Sequence, residues 1–155
     1  MTEINMRNMT NLLPRLLSCL LAATLSISMS AARAQSDDPV ENPRVLMKTT
    51  DGDITIELFA DKSPITVENF LRYVDDGHYD GTVFHRVISN FMIQGGGFDT
   101  ELKEKPTRDP IVNESKNKLH NTRGTLAMAR TSDPGSAAAQ SFINQRSNLH
   151  LDWSG

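Results

Sequence analysis

Apolar and polar residues alternate along two neighbouring segments of the chain, within residues 44–58. The apolar positions that share a face are Val45 and Met47 in the first segment and Ile54, Ile56 and Leu58 in the second. A period of two is typical of a strand that buries one face. Asp51-Gly52 separates the segments and is a common pair in hairpin turns. The pattern therefore predicts a β-hairpin.

The period changes to that of a helix after residue 62. Apolar residues then recur at positions i, i+3, i+4 and i+7, namely Val67, Phe70, Leu71 and Val74. Ser63 is a candidate N-cap, and Pro64 occupies the favoured first helical position. Gly77 suits the residue just beyond the end of a helix. The stripe predicts an amphipathic helix that covers a sheet, with core residues rather than site residues on it.

Residues 84–97 combine a cation, large apolar side chains and an amide in a short stretch. Alternation divides it into two short strands around a turn at Ser89-Asn90. Arg86 lies on one face of the first strand, and Met92 and Gln94 share a face of the second. Three glycines follow, which suits a bulge or a close backbone approach. A guanidinium beside an apolar floor and an amide fits a mostly apolar substrate that carries a carbonyl.

The rest of the chain is less regular. Residues 101–123 are mostly polar and predict solvated loops. Thr125 to Ala129 has the pattern of a strand, and residues 131–139 are small and turn-forming. Gln140 to Asn144 predicts another short strand, with Gln140 and Phe142 on one face.

The N-terminal residues have the organisation of a secretory signal peptide. Arg7 and Arg15 precede an apolar run from Leu16 to Met29, and Ala32-Arg33-Ala34 is a cleavage signal. We expect residues 1–34 to be a signal peptide cleaved after Ala34 and residues 35–43 to be a disordered leader. The alternatives are a membrane anchor, for which a run of about 21 Å is short of a bilayer core of roughly 30 Å, and lipid attachment at Cys19.

Composition fits one soluble globular domain, since 38% of the 155 residues are hydrophobic and 23% are charged. Cleavage would remove the single cysteine, so the processed chain could form no disulfide. Cleavage would also lower the number of basic residues from 16 to 13 and of acidic residues from 19 to 18. The processed chain would then have a net charge of −5. An acidic chain without a basic stripe is a poor nucleic-acid binder. The signal peptide favours an exported protein, and the missing disulfides fit the periplasm, with secretion as the other destination.

The chain has four histidines, His78, His85, His120 and His150. Their spacing is not typical of metal ligands. His85 alternates away from Arg86, which indicates a packed or hydrogen-bonded structural role. A nucleophile elbow, a phosphate-binding loop and a dinucleotide fingerprint are also missing from the sequence. We therefore expect neither a metal nor a cofactor.

Three segments carry a resemblance to a known family. Residues 84–96, F-H-R-V-I-S-N-F-M-I-Q-G-G, resemble the central motif of the cyclophilins, the peptidyl-prolyl cis/trans isomerases. Residues 124–130 and 140–144 resemble the family's G-T-[LI]-x-M-A and Q-F-F-I-N segments, in family order and at about family spacing. The resemblance covers roughly Arg44 to Asp152. It implies a mainly β fold, a closed antiparallel barrel of eight strands capped by two helices.

The resemblance also implies an activity, the rotation of X-Pro peptide bonds without a covalent intermediate. Arg86 would be the catalytic residue, because its charged fork can donate toward the prolyl nitrogen. The substrate-binding residues that it implies are Phe91, Met92, Gln94, Ala129, Arg130, Gln140, Phe142 and Leu151. Among these, the aromatic and methionine side chains would form the floor under the proline ring.

Four departures from the family pattern change what is expected. Arg130 replaces a frequent asparagine, and Ser141 places a hydroxyl where an apolar core residue is usual. His150 occupies the position of the tryptophan of cyclosporin-sensitive members, so we expect weak cyclosporin binding. The domain, residues 44–155, ends soon after Leu151-Asp152, so we expect the family's last strands and second helix to be missing.

Three functions of different classes remain open from the sequence. The first is an exported, monomeric prolyl isomerase whose partners are proline-containing peptides and unfolded exported proteins, without nucleic acid and without a membrane after signal cleavage. The second is a proline-peptide binding or chaperone-like module that does not catalyse. The third is an unrelated exported β protein in which the motif serves only packing.

Overall fold

The computed structural model describes residues 3–8 and 41–153. The strands of this part of the chain are β1 Glu3–Asn8, β2 Arg44–Thr49, β3 Gly52–Glu57, β4 Thr82–Val83, β5 Arg86–Ile88, β6 Met92–Gly95, β7 Leu126–Met128 and β8 Ser141–Asn144. The α-helix α1 spans Pro64–Asp75, and short 3₁₀ helices span Ser115–Asn117 and Leu149–Leu151. The strands form two four-stranded sheets, in the orders β3-β2-β1-β4 and β5-β6-β8-β7.

The predicted hairpin is confirmed in β2 and β3. The strands pair antiparallel with Val45 opposite Ile56 and Thr49 opposite Gly52. Val45 and Met47 are fully buried, so the apolar face of β2 is its core face. Gly52 has φ of +129°, a conformation that residues with a Cβ rarely adopt, which explains the glycine in this turn.

The predicted helix is confirmed as α1, but its first turn is capped from elsewhere. Ser63 precedes the helix without a side-chain capping hydrogen bond, and its hydroxyl accepts from the side-chain amide of Asn117 at 2.6 Å. The carboxylate of Glu114 accepts from the backbone N–H groups of Ile65 at 3.2 Å and Thr66 at 2.7 Å. Glu114 thus satisfies two helix N–H groups that have no partner within the helix.

The helix packs its apolar stripe onto the first sheet. Its buried apolar residues are Val67, Phe70, Tyr73 and Val74, with Leu71 partly buried against the same cluster. Gly77 follows with φ of +66°, and its N–H donates to the carbonyl of Val74. The predicted end of the helix is therefore confirmed.

Strand β1 was not predicted. It lies antiparallel between β2 and β4, with Met6 opposite Met47 and Ile4 opposite Thr82. Ile4 and Met6 are 2% and 4% exposed and belong to the main hydrophobic core. The predicted signal peptide begins with this segment. Its remainder, with residues 35–40 of the predicted leader, lies outside the described residues, so signal cleavage stays a prediction.

A bridge joins the two sheets beside the core. Val83 donates its backbone N–H to the carbonyl of Phe98, and Thr82 pairs with Asp99 in a single antiparallel bridge. The buried Tyr79 donates its hydroxyl hydrogen to the carbonyl of Ala139 at 3.0 Å, which holds the start of β8 against the core. The fold is mainly β with one α-helix among the described residues. Their strands pair into two separate sheets that are not joined into one closed barrel, so barrel closure stays a prediction.

The part of the chain that the structure describes contains no helix long and apolar enough to cross a membrane.

Candidate functional site

One row of residues runs across all four strands of the second sheet. Arg86 in β5 lies opposite Gln94 in β6, Gln94 lies opposite Phe142 in β8, and Phe142 lies opposite Ala127 in β7. Residues that lie directly opposite each other on paired strands point to the same face. Arg86 and Gln94, which are close in sequence, and Phe142, which is distant, therefore form one surface, the Arg86 surface.

Two hydrogen bonds order the polar side chains of this surface. Nη1 of Arg86 donates to Oε1 of Gln94 at 3.3 Å, and Nε2 of Gln94 donates to Oε1 of Gln140 at 3.0 Å. Arg86 is exposed. No carboxylate among the described residues forms an ion pair with it. The guanidinium is thus oriented by an amide, and its charge is not neutralised by a neighbouring acid.

Apolar side chains adjoin the row. Met92 precedes Gln94 by two residues on the same face of β6 and is 2% exposed. Phe91 and Phe142 are half-buried. The ring of Phe91 stacks on that of His150, with 5.9 Å between centroids and 23° between planes. His150 therefore covers one side of the apolar surface that the sequence predicted as a floor.

The backbone of Phe91 is held by the chain that follows β8. Its carbonyl oxygen accepts from the backbone N–H of Gln145 at 3.0 Å and from the side-chain amide of Asn148 at 2.9 Å. Asn148 is 2% exposed, and sequence reasoning did not single it out. The available signal was weak, since a polar residue in a turn-like segment is ordinary.

The remaining predicted residues occupy different places. Ala129 donates its backbone N–H to the carbonyl of Gln140 at 2.9 Å, beside the ordered amides. Arg130 is exposed and donates to the carbonyl of Thr131. Leu151 is 39% exposed in the last 3₁₀ helix, where its N–H donates to the carbonyl of Asn148. Among the described residues, neither Arg130 nor Leu151 forms a hydrogen bond with Arg86, Gln94 or Phe142, so their roles stay predictions.

Ser141 sits on the opposite face of the sheet from this surface. It is 6% exposed and lies opposite Gly95 on one side and Met128 on the other. The hydroxyl of Ser141 therefore occupies a buried position, at the place where the family usually has an apolar core residue.

His85 has the structural environment that its alternation predicted. Its ring lies 4.5 Å from that of Phe98, centroid to centroid, and its Nδ1 is buried with no hydrogen-bond partner among the described residues. Burial lowers the pKa of His85 from its ordinary value, against a smaller opposing effect of a hydrogen bond to the Val83 backbone. The imidazole is a packed group rather than part of the Arg86 surface.

A second polar network lies under the loop that carries His150. Asp152 accepts hydrogen bonds from the backbone N–H of Asn121 at 2.8 Å and from its side-chain amide at 2.9 Å, and it contacts Nδ1 of His120 at 2.7 Å. The Asn121 backbone bond, followed by His120, lowers the pKa of Asp152 to about 2. This carboxylate holds the loop, and among the described residues its ion-pair partner is His120 and not Arg86.

Within residues 3–8 and 41–153, no three histidine, cysteine, aspartate or glutamate side chains cluster as metal ligands would. The Arg86 surface instead offers a positive hydrogen-bond donor, an apolar area and two ordered amides. Such a set can bind a peptide with an apolar ring and stabilise a change in its charge distribution.

Comparison with known proteins adds family evidence to this geometry. The family model described as cyclophilin type peptidyl-prolyl cis-trans isomerase/CLD matches residues 44–154. The chain is 60% identical over 111 residues to a peptidyl-prolyl cis-trans isomerase of Acinetobacter baylyi, covering 72% of this chain and 59% of that protein. It is 58% identical over 111 residues to peptidyl-prolyl cis-trans isomerase B of Escherichia coli, covering 72% and 68%. The chain thus spans about three fifths to two thirds of these relatives.

Solved structures give the same result for the fold. A cyclophilin type isomerase of Cryptosporidium parvum, crystallised in the presence of the dipeptide Ala-Pro, matches with a TM-score of 0.60 and 30% identity, over 70% of this chain and 72% of that one. A cyclophilin from Hirschia baltica matches with a TM-score of 0.62 and 25% identity, over 70% and 59%. The predicted family resemblance is therefore confirmed.

Proposed function

Because this chain belongs to the cyclophilin-type peptidyl-prolyl cis-trans isomerases, we propose that it accelerates rotation about X-Pro peptide bonds. The observation that carries the proposal is Arg86. It is exposed, it forms no ion pair among the described residues, and Gln94 orients it on the face that also carries Phe142.

The reaction needs a particular kind of stabilisation. An X-Pro bond rotates over a barrier of about 18–20 kcal/mol, in tens to hundreds of seconds, because amide resonance places the nitrogen lone pair in the carbonyl system. A catalyst lowers this barrier by binding the twisted amide better than either planar form. A nucleophile is not needed for this step.

Arg86 has the chemistry that the twisted amide requires. As the bond rotates, the lone pair localises on the prolyl nitrogen and becomes a hydrogen-bond acceptor. A guanidinium remains protonated at all relevant pH values and donates from a rigid, planar fork. The hydrogen bond from Arg86 to Gln94 uses one N–H group and leaves others for the substrate.

The magnitudes require further contributions. An acceleration of about 10⁴-fold corresponds to roughly 5.5 kcal/mol of transition-state stabilisation. One hydrogen bond from a charged group supplies about 1.5–3 kcal/mol. The remainder has to come from orientation of the peptide and from exclusion of water, which the apolar surface can provide.

The neighbouring residues suit those tasks. Phe91 and Phe142 offer the apolar surface for the pyrrolidine ring, supported by the buried Met92, with Leu151 as a further wall. Gln94 and Gln140, with the backbone at Ala129 and Arg130, offer partners for the flanking carbonyl and N–H groups of a peptide. The two sheets would belong to the closed barrel of the family.

Export and a role in folding secreted proteins are the finer part of the proposal. The apolar run from Leu16 to Met29 and the signal Ala32-Arg33-Ala34 support a cleaved signal peptide and a periplasmic or secreted enzyme. Its partners would then be proline-containing segments of unfolded exported proteins. Cleavage would also remove β1 from the first sheet, so the precursor and the processed chain would differ in stability.

A protease-coupled assay with an Ala-Pro peptide tests the activity. We expect the chain to accelerate cis-to-trans conversion and Arg86→Ala to abolish most of the acceleration. Peptide binding without any acceleration would favour the alternative, a non-catalytic proline-peptide binding module. Equal activity of the two proteins would contradict the role of Arg86.

A further inference from the structure

Gly97 lies directly under the side chain of Gln140. The residue is buried and is the last of the three glycines, the first of which, Gly95, ends β6. A Cβ atom at this position would lie 2.5 Å from Cγ, 2.6 Å from Cδ and 2.6 Å from Nε2 of Gln140. Carbon atoms in contact are ordinarily about 3.5–4.0 Å apart. The Gln140 side chain can therefore occupy its place only because residue 97 has no side chain.

The backbone does not require glycine at this position, because the φ of Gly97 lies outside the left-handed region. Gly96 differs, since it has φ of +85° and approaches the ring of Tyr79 in the core. Gly95 approaches Phe84 and the carbonyl of Val83. Within the run, Gly97 alone adjoins the Arg86 surface, so its steric effect falls on a site side chain.

The orientation of the Gln140 amide follows from Arg86. A guanidinium has only donors, so the atom of Gln94 that faces Arg86 is its oxygen. The nitrogen of Gln94 then faces Gln140, whose nearest atom must be an acceptor, and the 3.0 Å bond runs to Oε1. The Nε2 group of Gln140 is left pointing away from Gln94, over Gly97.

We propose that Gly97 is a positioning residue that holds the Gln140 amide in reach of both Gln94 and the substrate. In this arrangement Gln140 presents N–H donors, which recognise a backbone carbonyl of the peptide that flanks the proline. The proposal rests on the proposed function for the substrate, but the position of Gln140 can be measured without turnover. It assigns Gly97 no contact with the reacting atoms.

Steady-state kinetics with an Ala-Pro peptide test the proposal with Gly97→Ala, Gln140→Ala and the double variant. Gly135→Ala is the matched control, because a Cβ there meets only Oδ1 of Asp133 at 3.5 Å, an ordinary contact, with φ outside the left-handed region. We expect Gly97→Ala to raise KM roughly two- to tenfold, the loss of one neutral hydrogen bond, with kcat little changed. Gly135→Ala should match the unsubstituted chain.

The double variant separates positioning from general disruption. If Gly97 acts through Gln140, adding Gly97→Ala to Gln140→Ala produces no further rise in KM. An equal rise in both backgrounds, or an unchanged KM for Gly97→Ala, would overturn the proposal.

A second measurement is independent of activity. In ¹⁵N-resolved NMR spectra of the substrate-free chain, the side-chain amide resonances of Gln94 and Gln140 should shift in Gly97→Ala and stay in place in Gly135→Ala. If these shifts occur but the unsubstituted chain does not accelerate X-Pro rotation, the position of Gln140 is supported and the proposed function is contradicted. Unmoved resonances would overturn the inference whatever the activity.

Discussion

The side-chain amide of Asn148 donates a hydrogen bond to the backbone carbonyl of Phe91 at 2.9 Å, across 57 residues of sequence. The same amide donates to Oδ1 of Asn144 at 2.7 Å, and the backbone N–H of Asn148 donates to the carbonyl of Asn121 at 2.7 Å. The loop after β8 is thereby fastened to the residue that begins the apolar surface. Asn148 shares this attachment with Gln145, whose backbone N–H donates to the same Phe91 carbonyl at 3.0 Å.

Asn148→Ala should therefore affect both stability and peptide binding. The substitution leaves the Phe91 carbonyl and Asn144 Oδ1 short of a donor, at a cost of about 1–3 kcal/mol in unfolding free energy. Phe91 and the stacked His150 would also loosen, which should raise KM. Denaturant unfolding and steady-state kinetics measure the two effects. Ser147→Ala, at the exposed neighbouring position, is the control, and matching results for both variants would exclude this role.

Asp152 predicts a dependence of stability on acidic pH. Its folded pKa of about 2 lies below the ordinary value of 3.8, so its stabilising contribution is complete above about pH 4 and is lost as the pH falls toward 2. We expect the urea midpoint to fall over that range, and to fall less in Asp152→Asn. An NMR titration that places the pKa of Asp152 near 3.8 would show that the bonds from Asn121 and His120 do not hold the carboxylate.

Glu114 should stabilise α1 although it is distant in sequence. Glu114→Ala removes the acceptor of the Ile65 and Thr66 N–H groups, a change that ordinarily costs about 0.5–2 kcal/mol at a helix N-terminus. Thermal unfolding measures the loss, and Glu101→Ala, which removes an exposed acid, is the comparison. The capping role fails if the two variants unfold at the same temperature.

Strand β1 makes the N-terminal segment a contributor to stability. Ile4→Ala should lower the free energy of unfolding by about 2–5 kcal/mol, the usual range for a buried isoleucine. Removal of residues 1–34 should lower it by at least as much. Arg7→Ala, at an exposed position of the same strand, should have little effect. Chemical unfolding of the unsubstituted chain, the two single variants and the shortened chain measures these differences. An unchanged free energy of unfolding in Ile4→Ala would mean that β1 is not part of the native core.

Local periodicity predicted much of the fold, because the elements concerned bury one face within a few residues. The β2–β3 hairpin, α1 and the short strands on either side of Ser89-Asn90 all follow from it. The same alternation is present in β1, where Ile4 and Met6 alternate with polar residues. The apolar run that follows is typical of a signal peptide instead, and only the sheet shows a partner for this face.

The candidate site was predicted in part for the same reason. Arg86 and Gln94 lie close in sequence, and their alternation places them where the structure has them, in one cross-strand pair. Gln140 joins them through the register between β6 and β8, which a single sequence does not determine. The glycine run predicted a close approach, but only the structure shows that Gln140 is the neighbour of Gly97. Glu114 and Asn148 act through tertiary contacts, so no local pattern could identify them.

The role of Arg86 is tested most directly by exchange NMR on an Ala-Pro peptide at saturating concentration, with catalytic amounts of the chain and its variants. Arg86→Ala should lower the catalysed interconversion rate roughly 10- to 150-fold, the equivalent of one charge-assisted hydrogen bond of about 1.5–3 kcal/mol, while peptide binding persists. Arg123→Ala, which removes an exposed positive charge outside the site, should leave the rate unchanged. Equal rates for Arg86→Ala and the unsubstituted chain would contradict the account.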